Sequence, residues 1–475
     1  MTQQPRSLIV PVENQVRELD PKLLVACAAA ERGFRVFLGS RTRIDFRIAS
    51  FPRGFYLAKG MTPKSAKMFR IMRRIGHEIA ALDEEGLVYH SASEYYARRV
   101  SDETLQLVTT LFAWGDAGAE LLRDRLAGST TPVRVTGNPR IDLLRPELRG
   151  YFAEDTARIR ARHGPFLLIN TNFGKVNAYF PKMNLLVPAT RPGQPAELGA
   201  AGIGLPREFA EGLAAHKSAL FDHFRAMIPA LHSAFPGHRL IVRPHPSENR
   251  APWQAVVSDL ERADVIHEGN VIAWLEASSA LIHNGCTTGI EAFCLGKPAI
   301  AYRPVSRDPF DLELPNSLSR QCFDLDTLSE AVASALDEDL GAHPNEAQRQ
   351  LFEQHISAHD GAFAADRIVD ALVERAALGS PLPPATLRLR GRLAATTRSL
   401  VKRHIKARIP QHRNNPTYQR NRYQGVSEHE LEERIARLGA CLNRFEGLRV
   451  RPFAEHIHEI QAAPPAVNPP AHNFV

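Results

Sequence analysis

The sequence is poor in cysteine, has no long apolar run, and carries one stretch with no acidic residue at all. Its five cysteines (Cys27, Cys286, Cys294, Cys322 and Cys441) are scattered through 475 residues without a CxxC pair. Neither a disulfide framework nor a cysteine zinc site follows, and reduced thiols are the expectation. No apolar run approaches the ~20 residues needed to cross a bilayer. Met1-Thr2-Gln3-Gln4-Pro5-Arg6 leads straight into a strand without a signal-peptide layout, so the expected location is cytoplasmic. From Arg388 to Arg422 there are eleven Lys/Arg and no Asp or Glu. That stretch lacks the interleaved aromatics of a base-stacking platform, and nucleic acid is not an expected partner.

What is present reads as an α/β protein of more than one domain. The chain is too long for one core, and its 44% hydrophobic and 23% charged residues are ordinary globular composition. Short apolar runs at 7–12, 34–38, 54–58, 78–82, 110–114 and 133–136 alternate with helical patterns, which implies a parallel sheet with right-handed crossovers. Asp20-Pro21 reads as a helix start, with the helix running from Lys22 to Arg32. A second unit has strands at 166–170, 240–242, 265–267, 280–283 and 299–302. Residues 176–205, rich in Pro, Gly and Ala, read as a loop or lid. Residues 351–378 read as one helix that closes this unit or crosses back to the first. The expected organisation is 1–150 as an N-terminal Rossmann-like domain and 160–378 as a C-terminal one. Residues 379–475 would be a basic helical tail with a disordered end.

Two motifs stand where strands run into loops. Arg243-Pro244-His245-Pro246 follows one strand of the second unit, and His283-Asn284-Gly285-Cys286-Thr287-Thr288-Gly289-Ile290-Glu291 follows another and opens a helix reaching Leu295. In open α/β sheets, ligands bind beyond the carboxyl ends of the strands, so both motifs share one rim. Imidazoles, Arg243, the hydroxyls of Thr287 and Thr288 and free helix-start amides suit a phosphate. Gly285 and Gly289 let the backbone approach a ligand, and Glu291 suits a ribose or sugar hydroxyl. A plain capped helix with Glu291 in its first turn is the competing reading. Asn172 and Lys175 occupy the loop opening the second unit. In the first unit, Asp83-Glu84-Glu85-Gly86 ends a strand and offers an acid or base, and Glu13 and Asp20 line the same rim. Asp324-Leu325-Asp326 matches a DxD metal motif in letters only and reads as a helix N-cap; no metal and no cofactor is expected.

Acid-acid-Gly, then His-Pro, then a paired Ser/Thr motif resembles the ordered signature of bacterial sialyltransferases and related Kdo transferases. Surface carbohydrate biosynthesis proteins share the pattern, and 11–13, 17–20, 38–41 and Gly137-Asn138-Pro139-Arg140 add to the likeness over about residues 7–310. The resemblance implies a GT-B architecture of two Rossmann-like domains facing a cleft. It implies a metal-independent transferase that moves an acidic sugar from a CMP-sugar to a glycan or lipid-linked acceptor. Glu84 or Glu85 would be the acid/base group, His245 would contact the CMP phosphate, and Thr287 and Thr288 would bind the phosphate or nucleotide. Thr-Thr stands where sialyltransferases often have serines, and three acids stand where two are usual. The amphipathic stretch from Lys64 to Arg74 and the basic stretch from Arg388 to Arg422 suit an anionic membrane surface. Rival readings are a CDP-glycerol-type polyol-phosphate transferase, a UDP-sugar 2-epimerase-like enzyme, and a non-catalytic scaffold that binds glycan or membrane.

Overall fold

The computed structural model describes residues 6–126, 128–189, 193–337, 344–409 and 414–463. Among these residues, sixteen strands, labelled in chain order, fall into three sheets. The first unit contributes β1 (Ser7–Val12), β2 (Arg35–Ser40), β3 (Gly54–Ala58), β4 (Glu78–Leu82), β5 (Thr110–Ala113) and β6 (Val133–Val135). The second contributes β7 (Phe166–Asn170), β10 (Arg239–Arg243), β11 (Ala263–Val265), β12 (Ala280–His283), β13 (Ala299–Tyr302) and β14 (Arg320–Cys322). The inserted segment forms a hairpin, β8 (Leu186–Val187) and β9 (Glu197–Leu198). The tail supplies β15 (Leu448–Ala454) and β16 (Ile457–Ala462).

Both large sheets are doubly wound. The first has the order β15-β16-β2-β1-β3-β4-β5-β6, with only the terminal hairpin antiparallel. The second, β11-β10-β7-β12-β13-β14, is parallel throughout. Central strands such as β1 and β7 are buried along their whole length, because helices cover both faces of a parallel sheet. Strand order reverses beside β1 in the first sheet and between β7 and β12 in the second. The loops leaving those strands are where each sheet opens a ligand crevice. Two such sheets joined across a cleft make a GT-B-like fold.

Several local expectations give way to tertiary contacts. The first helix runs Gln15–Glu31, with Asn14 at its N-cap and Pro21 inside it, so Asp20 is not a cap. The earlier start buries Glu18, Leu19 and Asp20, whose contacts override the proline's preference for a first turn. Residues 351–378 form two helices, Glu346–His355 and Ala364–Ala377. The break passes over the ends of β5 and β6, where Ser357 donates its N–H to the Trp114 carbonyl at 2.7 Å. Asp142 then accepts the N–H groups of Ala364 and Ala365, both at 2.8 Å, pinning the returning helix to the first domain. Asp324 caps the helix Leu325–Leu336 with a reciprocal Thr327 bond.

The tail carries the expected helices, Ala385–Leu400, Pro416–Arg422 and Glu428–Leu442, and also adds strands to the first sheet. After the helix Glu428–Leu442, β16 pairs with β2 and extends the first sheet. The alternation that buries Val450, Ile457 and Ile460 needs that sheet edge as a partner, which the tail's own composition does not reveal. The Pro-rich end, 464–475, lies outside the described residues. The helix Ala66–Ile75 also departs from the expected membrane role. Met68, Phe69, Ile71, Met72 and Ile75 are buried in the core beneath the first sheet. Among the described residues, no helix is long and apolar enough to cross a membrane.

Candidate functional site

The cleft is lined by the loops after β1, β3 and β4 on one side and after β7, β10 and β12 on the other. On the first rim, Glu18 is the hub. It is fully buried and accepts Lys22 Nζ at 2.8 Å, Lys59 Nζ at 2.9 Å and the Glu13 N–H at 2.9 Å. Burial alone would raise its pKa; Lys22, Lys59 and Arg17 instead hold it well below the usual carboxylate range. Glu13 meets Lys59 and Arg41 at 2.8 Å and Arg422 at 2.5 Å, and these three cations likewise outweigh its burial.

The acids singled out from sequence divide sharply here. Asp83 is buried and held in a two-pronged pair by Arg99, while its carbonyl accepts Trp114 Nε1–H at 2.8 Å. Glu84 is buried with Lys22 Nζ at 3.7 Å. Asp20 accepts Tyr151 Oη–H at 2.8 Å and Asn270 Nδ2–H at 2.7 Å, and pairs with Arg434. Only Glu85 keeps a half-exposed carboxylate, with Arg99 at 2.8 Å and Arg17 at 3.4 Å. Its burial is outweighed by Arg99, Lys59 and Arg17, which bring its pKa down to about 2.

The second rim is built differently. His245 is neutral: burial first, then Arg17, push its pKa down to about 3. Its Nδ1 accepts the Ser247 N–H at 3.2 Å and lies 2.7 Å from Ser247 Oγ, so the ring proton sits on Nε2 as a donor. Glu248 ties this loop to the one after β7, accepting the N–H groups of His245 at 3.1 Å and Phe173 at 3.0 Å, and Thr171 Oγ1–H at 2.9 Å. The Pro246 carbonyl lies 3.5 Å from Asn421 Nδ2.

Two residues expected on the phosphate are structural instead. Arg243 donates to the carbonyls of Glu268 at 2.6 Å and Gly269 at 3.2 Å and lies over the Trp274 ring, because the strand end turns it toward that loop. His283 is wholly buried, with Nδ1 accepting the Gly285 N–H at 3.0 Å and Nε2 at 2.9 Å from Ser319 Oγ. Gly289 serves that packing and not a ligand, since a Cβ there would stand 2.5 Å from His283 Nε2. Gly285 takes φ +77°, the left-handed conformation that turns the chain into the helix. Glu291 pairs with Arg140 across the two domains rather than facing a sugar.

What remains open is the start of the helix Thr287–Leu295. Cys286 holds the N-cap position and gives no side-chain cap bond; Thr288 Oγ1 lies 2.6 Å from Cys286 Sγ. Neither threonine caps the helix, because both already lie within it. Asn284, 5% exposed, has neither amide atom hydrogen-bonded. Lys217, 4% exposed, has no ion pair among the described residues; its burial outweighs the longer-range pull of the Asp311 carboxylate and, after it, of the Cys286 side chain, so its charged form is disfavoured. Lys175 Nζ lies 3.5 Å from His90 Nε2, a contact across the cleft. Burial, then Arg98, lower Lys175 to about 7; burial, then Lys175 and Lys217, lower His90 to about 4. Asn172 sits half-buried in the same loop as Lys175.

The structure thus brings Glu85, His245, Lys175, Thr287 and Thr288 to one cleft. Arg243, His283, Asp83 and Asp20 are committed to support. Sequence reasoning missed Lys217, His90, Glu248, Arg17, Lys59 and Arg422. Lys217 did leave a signal. It falls on the apolar stripe of the helix Arg207–Ala234 with Leu213, Leu220 and Phe224, where a lysine has no packing reason to be. Arg422 left none. It arrives on the helix Pro416–Arg422, which straps the cleft. Gln419 bonds Thr42 at 2.7 Å on one domain, and Tyr418 stacks on Phe180, 5.5 Å between centroids, on the other.

No family model matches the chain. No curated protein matches it in sequence either. Among solved structures it is similar to the UDP-GlcNAc 2-epimerase of Methanocaldococcus jannaschii in complex with UDP-GlcNAc and UDP, at 11% identity and TM-score 0.47, covering 78% of this chain and 100% of that one. It is similar to the wall teichoic acid polymerase TagF, at 10% identity and TM-score 0.46, over 79% of this chain and 90% of that one. The Neisseria meningitidis UDP-GlcNAc 2-epimerase bound to UDP-GlcNAc gives 11% identity and TM-score 0.45, over 78% and 100%. The fold assignment itself rests on the two sheets and their strand orders.

Proposed function

We propose that the cleft is the active site of a glycosyltransferase of surface glycan synthesis, taking an acidic sugar from a CMP-sugar and passing it to a glycan or lipid-linked acceptor. The observation that carries the reading is Lys217. Its ammonium is buried with no carboxylate at ion-pair distance among the described residues, and burial outweighs the longer-range pull of Asp311. That charge is costly unless an anion joins it, and Cys286 at an uncapped helix start acts on it electrostatically. Lys175 and the hydroxyl of Thr288 complete a site for one phosphate. His245, neutral with its proton on Nε2, suits a hydrogen bond to the same group.

Glu85 is the group for the acceptor. The acceptor hydroxyl loses its proton to Glu85 as its oxygen bonds the anomeric carbon. The bond from that carbon to the phosphate oxygen breaks, and CMP leaves with the electron pair. A pKa of about 2 makes Glu85 a weak base, so the proton moves late, once bond formation has made the hydroxyl acidic. Glu85 is itself paired with Arg99 and Arg17 but is the rim acid with a half-exposed carboxylate. Asp20, Asp83 and Glu84 are buried in ion pairs and Glu13 is held by three cations, which argues against a second carboxylate acting as nucleophile. A single inverting displacement fits that supply.

The test is thermal stabilisation of the full chain by CMP, CDP, UMP and UDP in EDTA. At ~100 times its dissociation constant a ligand adds ~2.7 kcal/mol. Stabilisation by CMP that vanishes in Lys217→Met supports the proposal. A response confined to UDP or CDP overturns the donor, in favour of an epimerase-like or polyol-phosphate enzyme. No response to any nucleotide favours a glycan-binding scaffold.

A further inference from the structure

The helix Ala385–Leu400 is mounted with its small residues inward. Gly391, Ala395 and Ser399, four apart, form its buried face over the helix Ala66–Ile75, where a Cβ on Gly391 would come 2.9 Å from Arg74 Cβ. Its leucines are left outside: Leu389 is 60% exposed, Leu393 59% and Leu400 52%, and Ile405 beyond the helix end is 60% exposed. Positions 389, 393 and 400 fall on one helical stripe. Arg390, Arg392, Arg403, Lys406 and Arg408 are exposed around it, and no Asp or Glu occurs between Glu374 and Glu428.

We propose that this surface docks the protein on an anionic lipid bilayer, with the Leu389–Leu393–Leu400 stripe and Ile405 entering the acyl boundary and the cations lying on lipid phosphates. An apolar stripe bordered by Arg and Lys is the pattern of a helix lying in the interface plane. A second copy of the chain is a poorer occupant. A two-fold contact would set this acid-free stretch against itself, and like charges would oppose it. The inference concerns a face outside the cleft, so it stands apart from the nucleotide-sugar reading.

Flotation of the full chain with vesicles decides it. Binding is expected to vesicles of phosphatidylcholine containing phosphatidylglycerol, to weaken as salt rises, and to be absent with phosphatidylcholine alone. Leu389→Ser with Leu393→Ser and Leu400→Ser should lower binding about tenfold or more at unchanged melting temperature. Arg390→Gln with Arg392→Gln and Arg403→Gln should lower it similarly with the leucines intact, which keeps the test decisive if the first variant folds poorly. Equal binding to neutral vesicles, binding to neither, or a dimer that the leucine variant abolishes would each overturn the proposal.

Discussion

On the rim of the first domain, Glu13, Glu18, Asp20, Asp83, Glu84 and Glu85 each have a cation within ion-pair distance. On the rim of the second domain, Lys175 and Lys217 have no carboxylate at ion-pair distance among the described residues, though Glu94 pulls on the first and Asp311 on the second from farther away. The nearby His245, His283 and His90 are neutral. The first rim is electrostatically complete without a ligand. The second is completed by an anion. A carboxylate in an ion-pair network needs no ligand to account for it, whereas a buried cation without one does.

The largest expected effect breaks the completed rim. Glu18→Gln leaves Lys22 with Glu84 at 3.7 Å and Lys59 with Glu13 as their remaining carboxylates and should cost about 3 kcal/mol, read as a lower denaturation midpoint at unchanged slope. Next, Glu85→Gln should lower turnover about 10²–10⁴-fold while nucleotide stabilisation survives; Glu84→Gln, beside Lys22, should not reproduce that split. On the open rim the sign reverses. Lys217→Met should leave the unliganded protein as stable or more so, because the cost of burying its charge outweighs the pull of Asp311, yet abolish the ~2.7 kcal/mol gained from saturating nucleotide. A destabilised unliganded variant would show that Lys217 has a protein partner.

Lys175 sharpens the contrast through pH. Its charged form is disfavoured in the folded protein, so between about pH 7 and the ordinary lysine value of 10.5 the unfolded chain holds the extra proton, and unliganded stability rises with pH across that window. A bound anion favours the charged form, so nucleotide affinity should fall as pH rises through about 7, by up to about tenfold per pH unit. Lys175→Arg, with its higher intrinsic pKa, should flatten that dependence in calorimetric titrations. The smallest effect belongs to Ser247→Ala, which removes the hydroxyl beside His245 Nδ1 and should weaken binding by about 1 kcal/mol or less, with the Ser247 N–H still holding the tautomer.

Much of the architecture was legible because strand periodicity is local. The runs at 7–12, 54–58, 78–82 and 166–170 are strands with those bounds, and the helix opening at Thr287 ends at Leu295 as its pattern requires. The strand at 320–322 was not legible: with a half-exposed Gln321 and an exposed Arg320 it lacks an apolar run and depends on pairing with β13. Arg243 and His283 read as ligand groups because the type of residue at a strand end is visible in sequence and its direction is not. The turn set by Gly285 and the carbonyls of Glu268 and Gly269 decided those directions.

Sequence alone determined that two Rossmann-like units are present, which strand ends carry polar loops, and that one helix begins in a glycine-threonine turn. Each follows from spacing within a few tens of residues. Tertiary structure decided charge balance, because the partner of a carboxylate is set by which distant loop reaches it: Arg422 meets Glu13 and Arg434 meets Asp20 only after the tail returns to the first domain. It also decided that Lys217 has no carboxylate at ion-pair distance among the described residues and feels Asp311 only from farther away, since what a buried charge lacks depends on every element packed around it.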